Sequence, residues 1–253
     1  MQFLEVQNVT KRFHGFTAIS NCSLQIPKGR ITGLIGPNGA GKTTLFNCIS
    51  SFLPLSEGSI NFKGEDISSL PPHAIVQKGI ARTFQVPHGF KRLTVLENLM
   101  AAPLHQQGEK IFNIFFRPRG YKQEEQVNKE KAARLLDKTH LSDRRNDLVS
   151  NLTTGEARML ELARQLMFDP EILLLDEPAA GVNPSVQEIL CQFIMELFAE
   201  GMTFLIIDHN LEFITRLSHH IYVMNAGEIF FQGVPEEVMN NAQVKEIYLG
   251  RAA

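Results

Sequence analysis

The stretch Gly36-Pro37-Asn38-Gly39-Ala40-Gly41-Lys42-Thr43 narrows the folds open to this chain more than any other feature. It follows the apolar run Ile31–Ile35 and leads into a segment, Thr43 to about Phe52, that reads as a helix. Strand, glycine-rich turn and helix in that order match the G-x-x-x-x-G-K-[ST] phosphate loop. Glycines let the main chain wrap closely, so that successive N–H groups point inward, and the helix start adds its own dipole and free N–H groups. A nucleoside triphosphate is the expected ligand, and ATP rather than GTP, because no Asn-Lys-x-Asp guanine reader is present. Gly36, Asn38, Gly39, Gly41, Lys42, Thr43 and Thr44 are its candidate contacts. Lys42 would reach the β- and γ-phosphates, and the Thr43 hydroxyl would face Mg²⁺.

The remaining texture agrees with an α/β chain. Further strands are expected at Phe3–Val6, Ser23–Ile26, Ser59–Phe62, Ile172–Asp176, Thr203–Ile207, Ile221–Met224 and Ile229–Gln232, the last two flanking a hairpin turn at Asn225-Ala226-Gly227. Helical stripes run through Met159, Leu160, Ala163, Leu166 and Met167, and from Val186 to Leu197 behind the start signal Pro184-Ser185. Between about Val86 and Phe168 the pattern turns mostly helical. This predicts a helical subdomain at about 86–168 inserted into a core formed by 1–85 and 169–253. The dense run Ile111–Phe116 inside it suits either subdomain core or a surface docked on an apolar partner.

Composition excludes some functions. Hydrophobic residues at 43% and charged residues at 21% suit a packed core rather than disorder. A net charge of −2 offers no field for nucleic acid, and no basic cluster would hold the chain on anionic lipid. Cys22, Cys48 and Cys191 form no zinc pattern and read as small core residues of a reducing compartment. Met1-Gln2-Phe3-Leu4-Glu5 lacks the features of an export signal, and no run approaches the length of a membrane span.

A second constellation completes the first. Ile172-Leu173-Leu174-Leu175 ends in Asp176-Glu177, which puts two carboxylates at the carboxyl edge of a sheet, where α/β folds bind ligands. Asp176 would hold Mg²⁺, and Glu177 would polarise the attacking water. His209 follows another apolar strand at the same edge, where its imidazole could hydrogen-bond a γ-phosphate or have no part in the site. Thr153 and Gly155 open a helix, where they could bind a γ-phosphate or simply cap the helix.

With these motifs in order, the chain resembles the ABC-transporter ATPases over essentially its whole length. The resemblance implies a P-loop NTPase core with an antiparallel β subdomain and an inserted helical subdomain. It implies that Phe13 stacks on adenine, although an aromatic there would serve equally as core or strand-face packing. Gln85 in Arg82-Thr83-Phe84-Gln85 fits the Q-loop, which contacts Mg²⁺ and signals to the membrane subunit. Leu152-Thr153-Thr154-Gly155-Glu156 fits the signature motif, Ala179–Asn183 the D-loop and His209 the switch histidine. Such signature motifs complete the ATP site of the opposite subunit, so a head-to-tail dimer is expected. The motif departs from the usual Leu-Ser-Gly-Gly-Gln at Thr153, Thr154 and Glu156, and Asp208-His209-Asn210 stands where Glu-His-Asp is frequent.

Gly79–Gln85, Leu93–Asn98 and Glu177–Pro184 are similar to strings of the ATPase subunits of bacterial branched-chain amino-acid importers. That branch implies integral permease subunits, a substrate-binding protein, and a peripheral position on the inner face of the membrane. Its importers generally pair two different ATPases, which favours a heterodimer with a paralogue over a homodimer. The alternatives are a lipopolysaccharide-export ATPase and a soluble non-transport ABC protein. The latter usually carries two ATPase halves or long coiled coils, and this chain has one P-loop and no sustained heptads.

Overall fold

The computed structural model describes residues 2–83, 89–103 and 118–249. A six-stranded sheet carries the site. Its first strand in sequence, β3 (Ile31–Ile35), lies between β8 (Thr203–Ile207) and β9 (His220–Asn225); β7 (Ile172–Asp176) and β6 (Ile80–Arg82) follow beyond β8, and β10 (Glu228–Gly233) pairs with β9 at the other edge. All neighbours are parallel except the β9–β10 hairpin. Every residue of β3, β7 and β8 is buried, as continuously apolar strands covered on both faces must be. The predicted hairpin turn is present, with Ala226 at φ 46° and Gly227 at φ 86°, the doubly positive backbone that a two-residue turn needs.

A second, antiparallel sheet orders β2 (Phe16–Pro27), β1 (Gln2–Phe13), β4 (Glu57–Phe62) and β5 (Glu65–Asp66). β1 and β2 are each 12 residues long, well beyond the short apolar runs that announce them. The reason is pairing. β1 bonds to β2 on one side and β4 on the other, so polar residues such as Thr10 and Lys11 stay in the ladder without an apolar pattern. Between the two sheets lies α1 (Lys42–Ile49), whose Leu45, Phe46 and Ile49 join Leu4, Ile26 and Leu205 in one core cluster.

Other helices cover the parallel sheet. They are α2 (Pro72–Gln77), α6 (Pro184–Ala199), α7 (Leu211–Leu217), α8 (Pro235–Asn240) and α9 (Ala242–Leu249). Asn183 caps α6 by accepting from the Val186 N–H at 3.0 Å, and Pro184, half of the start signal read at Pro184-Ser185, takes the first helical position. Within the region read as helical lie α3 (Val95–Met100), α4 (Pro118–Lys138) and α5 (Thr154–Leu166), which pack on one another. The stripe Met159, Leu160, Ala163, Leu166 and Met167 is buried throughout. The three cysteines are free and buried, and burial pushes the Cys22 thiol up to about 12 and the Cys48 thiol to about 11. Gln85 and the apolar run Ile111–Phe116 lie outside the described residues.

Candidate functional site

The loop from β3 to α1 is clasped from behind. A Cβ at Gly36, where φ is 155°, would stand 2.1 Å from the Met224 carbonyl oxygen, and one at Gly41, where φ is 101°, would stand 2.6 Å from that of Ala18. Only glycine fits either place. The hairpin turn holds the loop by a bond from the Gly227 N–H to the Ala40 carbonyl at 3.0 Å, and the Ser20 N–H in turn donates to Gly227 at 2.9 Å. Asn38 and Gly39 form an exposed crest. Gly41 caps α1 without a side-chain acceptor, so the first turn keeps orphan N–H groups for a ligand.

Lys42 is buried beneath that crest, its Nζ donating to the carbonyls of Gly36 at 2.7 Å and Pro37 at 3.0 Å. Burial pushes its pKa down, and the carboxylates of Glu177 and Asp176 push it back up. The ammonium is therefore held by the carbonyls of its own loop and feels the charge of the acids at the end of β7. Thr43 is exposed and Thr44 half-buried at the start of α1.

Asp176 closes β7 with 3% exposure, and its Oδ2 accepts from Arg82 Nη2 at 2.8 Å. Burial raises the Asp176 pKa and the Arg82 hydrogen bond and charge oppose that rise. Glu177 sits at φ 49°, a left-handed backbone that costs a non-glycine residue about 1–3 kcal/mol and persists only where neighbours enforce it. One enforcing contact is its N–H, which donates to the Ile207 carbonyl at 2.8 Å. His209 follows β8 with its Nδ1 3.9 Å from Glu177 Oε1 and 3.8 Å from Asp208 Oδ1, and its side chain is 60% exposed. Asp208 is fully buried and accepts from the N–H groups of Ala179 at 3.0 Å and Asn210 at 2.9 Å, which fixes the turn that presents the imidazole. Lys42, Asp176, Glu177 and His209 are thus gathered at one sheet edge beside the loop.

The Thr153–Glu156 turn is a different kind of place. Thr153 caps α5 by accepting from the Glu156 N–H at 3.3 Å, while Glu156 Oε2 accepts from the Thr153 N–H at 2.8 Å and hydroxyl at 2.9 Å. Arg144 Nε adds a contact to Glu156 at 3.1 Å. The backbone bond from Thr153 is the chief cause that holds the Glu156 carboxyl below the usual glutamate range. Gly155 has a packing reason for its size, since a Cβ there would approach Val186 Cγ2 of α6 to 2.8 Å. Among the described residues, no hydrogen bond or ion pair joins this turn to the phosphate loop. Phe13 stands at the end of β1, 38% exposed and outside both core clusters, with Lys11 Nζ 5.0 Å from its ring centroid.

Sequence reasoning gave no role to Arg82, although it contacts the Mg²⁺-binding candidate directly. The available signal was a charge in an otherwise apolar string, Gly79-Ile80-Ala81-Arg82. The residues present suit a magnesium–nucleotide complex: a glycine loop packed from behind too closely for a Cβ at Gly36 or Gly41, a buried ammonium for phosphate, and hard oxygen donors on Thr43 and Asp176. Among the described residues no helix is long and apolar enough to cross a membrane.

Residues 19–180 match the family model described as ABC transporter. The chain is 42% identical over 250 residues to the "Probable branched-chain amino acid transport ATP-binding protein" of Archaeoglobus fulgidus, covering 99% of this chain and 96% of that one. It is 38% identical over 250 residues to the high-affinity branched-chain amino acid transport ATP-binding protein of Pseudomonas aeruginosa, covering 98% of each. Its fold superposes with a TM-score of 0.85 and 36% identity on the ADP conformation of an ATP-binding cassette of an ABC transporter, covering 99% of this chain and all of the other.

Proposed function

The chain belongs to the ABC-transporter family of ATPases, and from that membership we propose that it drives the import of branched-chain or other hydrophobic amino acids through a membrane permease. The names of the relatives favour this cargo over lipopolysaccharide export. The observation that carries the mechanistic reading is the convergence of Lys42, Asp176, Glu177 and His209 beside the glycine loop.

ATP enters with its phosphates in the cradle of Gly36, Asn38, Gly39 and Gly41 and the N–H groups of Lys42, Thr43 and Thr44. Lys42 exchanges its two carbonyl partners for β- and γ-phosphate oxygens, which are stronger, charge-assisted acceptors. Thr43, Asp176 and Gln85 would hold Mg²⁺, which supplies positive charge against the phosphate oxygens. Glu177 accepts a proton from the water whose oxygen bonds to the γ-phosphorus as the bond to ADP breaks, and its enforced backbone fixes where the side chain leaves the main chain. His209, poised between Glu177 and Asp208, holds the γ-phosphate and aligns that carboxylate. Phe13 stacks on the adenine.

Thr153, Gly155 and Glu156 then belong to the site of a second ATPase subunit, a paralogue by the habit of the branch, which supplies its own turn in return. The chain sits at the inner face of the membrane through permease subunits, which receive amino acid from a binding protein. In the complex reconstituted with permease, Glu177→Gln should retain ATP and lower hydrolysis by about two to four orders of magnitude, the weight of a general base. Turnover equal to the parent complex would remove Glu177 from that role.

A further inference from the structure

Arg82 is among the most deeply placed charges in the molecule, at 7% exposure, and its partner Asp176 is more buried still. Charges leave water at a cost that only close pairing and full hydrogen bonding offset. Here the guanidinium is used on several sides. Its Nη2 donates to Asp176 Oδ2 at 2.8 Å, and its Nη1 donates to Asn47 Oδ1 at 2.7 Å and to Ser50 Oγ at 2.9 Å. Its flat face lies 5.5 Å from the ring centroid of Phe46. Asn47 and Phe46 are residues of α1 and Ser50 is its C-cap, so one side chain joins β6, the end of β7 and the helix that carries Lys42 and Thr43.

The next residue repeats the link through the main chain. Thr83 Oγ1 accepts from the Asp176 N–H at 3.2 Å, and the Thr83 N–H donates to the Leu174 carbonyl at 2.9 Å. The pair Arg82-Thr83 therefore fixes both the backbone and the carboxylate of Asp176. Only Oδ2 is committed, and among the described residues no hydrogen bond engages Oδ1.

We propose that Arg82 is a positioning residue for metal binding: its fork, braced on α1 by Asn47 and Ser50, holds Asp176 by Oδ2 and so leaves Oδ1 for the metal that Asp176 and Thr43 would hold. The proposal rests on the reading of Asp176 as a magnesium acid. A lysine would supply the charge without the planar fork, and so would hold Asp176 but not α1 at the same time. Outer partners of this kind commonly contribute about 10–100-fold to metal affinity.

The test is binding of a fluorescent ATP analogue to the purified full chain, first in chelator and then with increasing Mg²⁺. Arg82→Met should leave metal-free nucleotide affinity within about twofold and raise the Mg²⁺ concentration for half-saturation about tenfold or more, with Arg82→Lys in between. Asn47→Ala retains the ion pair and loses one brace, so it should move half-saturation in the same direction by about threefold, and it stands in should Arg82→Met not fold. Unchanged Mg²⁺ half-saturation in folded Arg82→Met, or in Asn47→Ala where Arg82→Met is unfolded, overturns the proposal. Equal losses with and without Mg²⁺ also overturn it, because they describe general structural cement. Asp176→Asn separates the two readings. If it leaves Mg²⁺ dependence intact, the acid itself is misassigned. If it raises half-saturation and Arg82→Met does not, only the positioning role fails.

Discussion

The phosphate loop and the Thr153–Glu156 turn both open helices, and they are built in opposite ways. The loop is determined from afar: Met224, Ala18 and Gly227 press on it, and Lys42 is buried within it beside acids more than 130 residues away in the chain. Its helix start has no side-chain cap. The turn at Thr153 is bonded locally: its hydroxyl donates to the Glu156 carboxylate, which also accepts from Arg144 at the surface. One region holds unspent donors on a rigid frame, which suits a site that binds a ligand by itself. The other spends its polar groups on its own helix, so any ligand must draw them away. A half-site of that kind needs a second surface to make the exchange favourable.

The comparison breaks most visibly at Lys42. Lys42→Ala removes the buried ammonium, and loss of a charged hydrogen-bonding partner of this kind weakens ATP binding by about 10–100-fold. Titration of the isolated chain measures it, and retained affinity would contradict a self-sufficient loop. Thermal stability should fall as well, by about 1–3 kcal/mol, because the carbonyls of buried Gly36 and half-buried Pro37 lose their donor.

The loop was legible because its residues are contiguous and the strand and helix around it have strong apolar patterns. Asp176, Glu177 and His209 were legible for a related reason, each standing just past an apolar strand. Arg82 was not. Its strand has three residues, too few for a period, and its burial comes from pairing with Asp176 and Asn47, which are distant in sequence. Gly155 reads in sequence as a residue that lets a phosphate approach. The structure gives it a neighbour in Val186 that no local pattern reveals. The full length of β1 was hidden for the same cause, since ladder bonds on both sides hold its polar residues in place.

Gly155 sharpens the comparison next. Gly155→Ala forces a Cβ to within 2.8 Å of Val186 Cγ2, and overpacking of this sort costs about 1–3 kcal/mol. Denaturant unfolding should show the loss, and Val186→Ala should restore most of it. If the double variant regains stability and turnover in the complex stays low, the glycine also serves the partner's ligand. Full recovery of both would reduce it to packing.

Thr153→Ala probes the hydroxyl. As an N-cap it contributes about 1 kcal/mol of stability. In the isolated chain ATP affinity should be unchanged, since the turn and the loop share no bond. In the assembled complex turnover should fall more than affinity does. Turnover equal to the parent would mean that the hydroxyl never leaves its own helix.

The smallest effect concerns Glu156, and it asks whether the cap depends on charge. Its carboxyl is held below the usual glutamate range, first by the Thr153 N–H and then by the Thr153 hydroxyl and Arg144. A folded-state pKa below the unfolded value of about 4.3 means that the stabilisation is fully present above that value. It is lost as pH falls through the lower folded value. Glu156→Gln keeps an oxygen for the Thr153 N–H, as capping boxes allow, and gives up the charge. The parent should therefore melt slightly higher near neutral pH, by about a degree for an exposed pair, and the gap should close below about pH 4. Asp66 and Glu97 are depressed by similar bonds, so the difference between the two proteins, not the parent's own acid curve, isolates Glu156. A gap that persists in acid would show that shape rather than charge holds the turn. A partner's ligand would then still have to draw the Glu156 side chain away from the Thr153 N–H and hydroxyl.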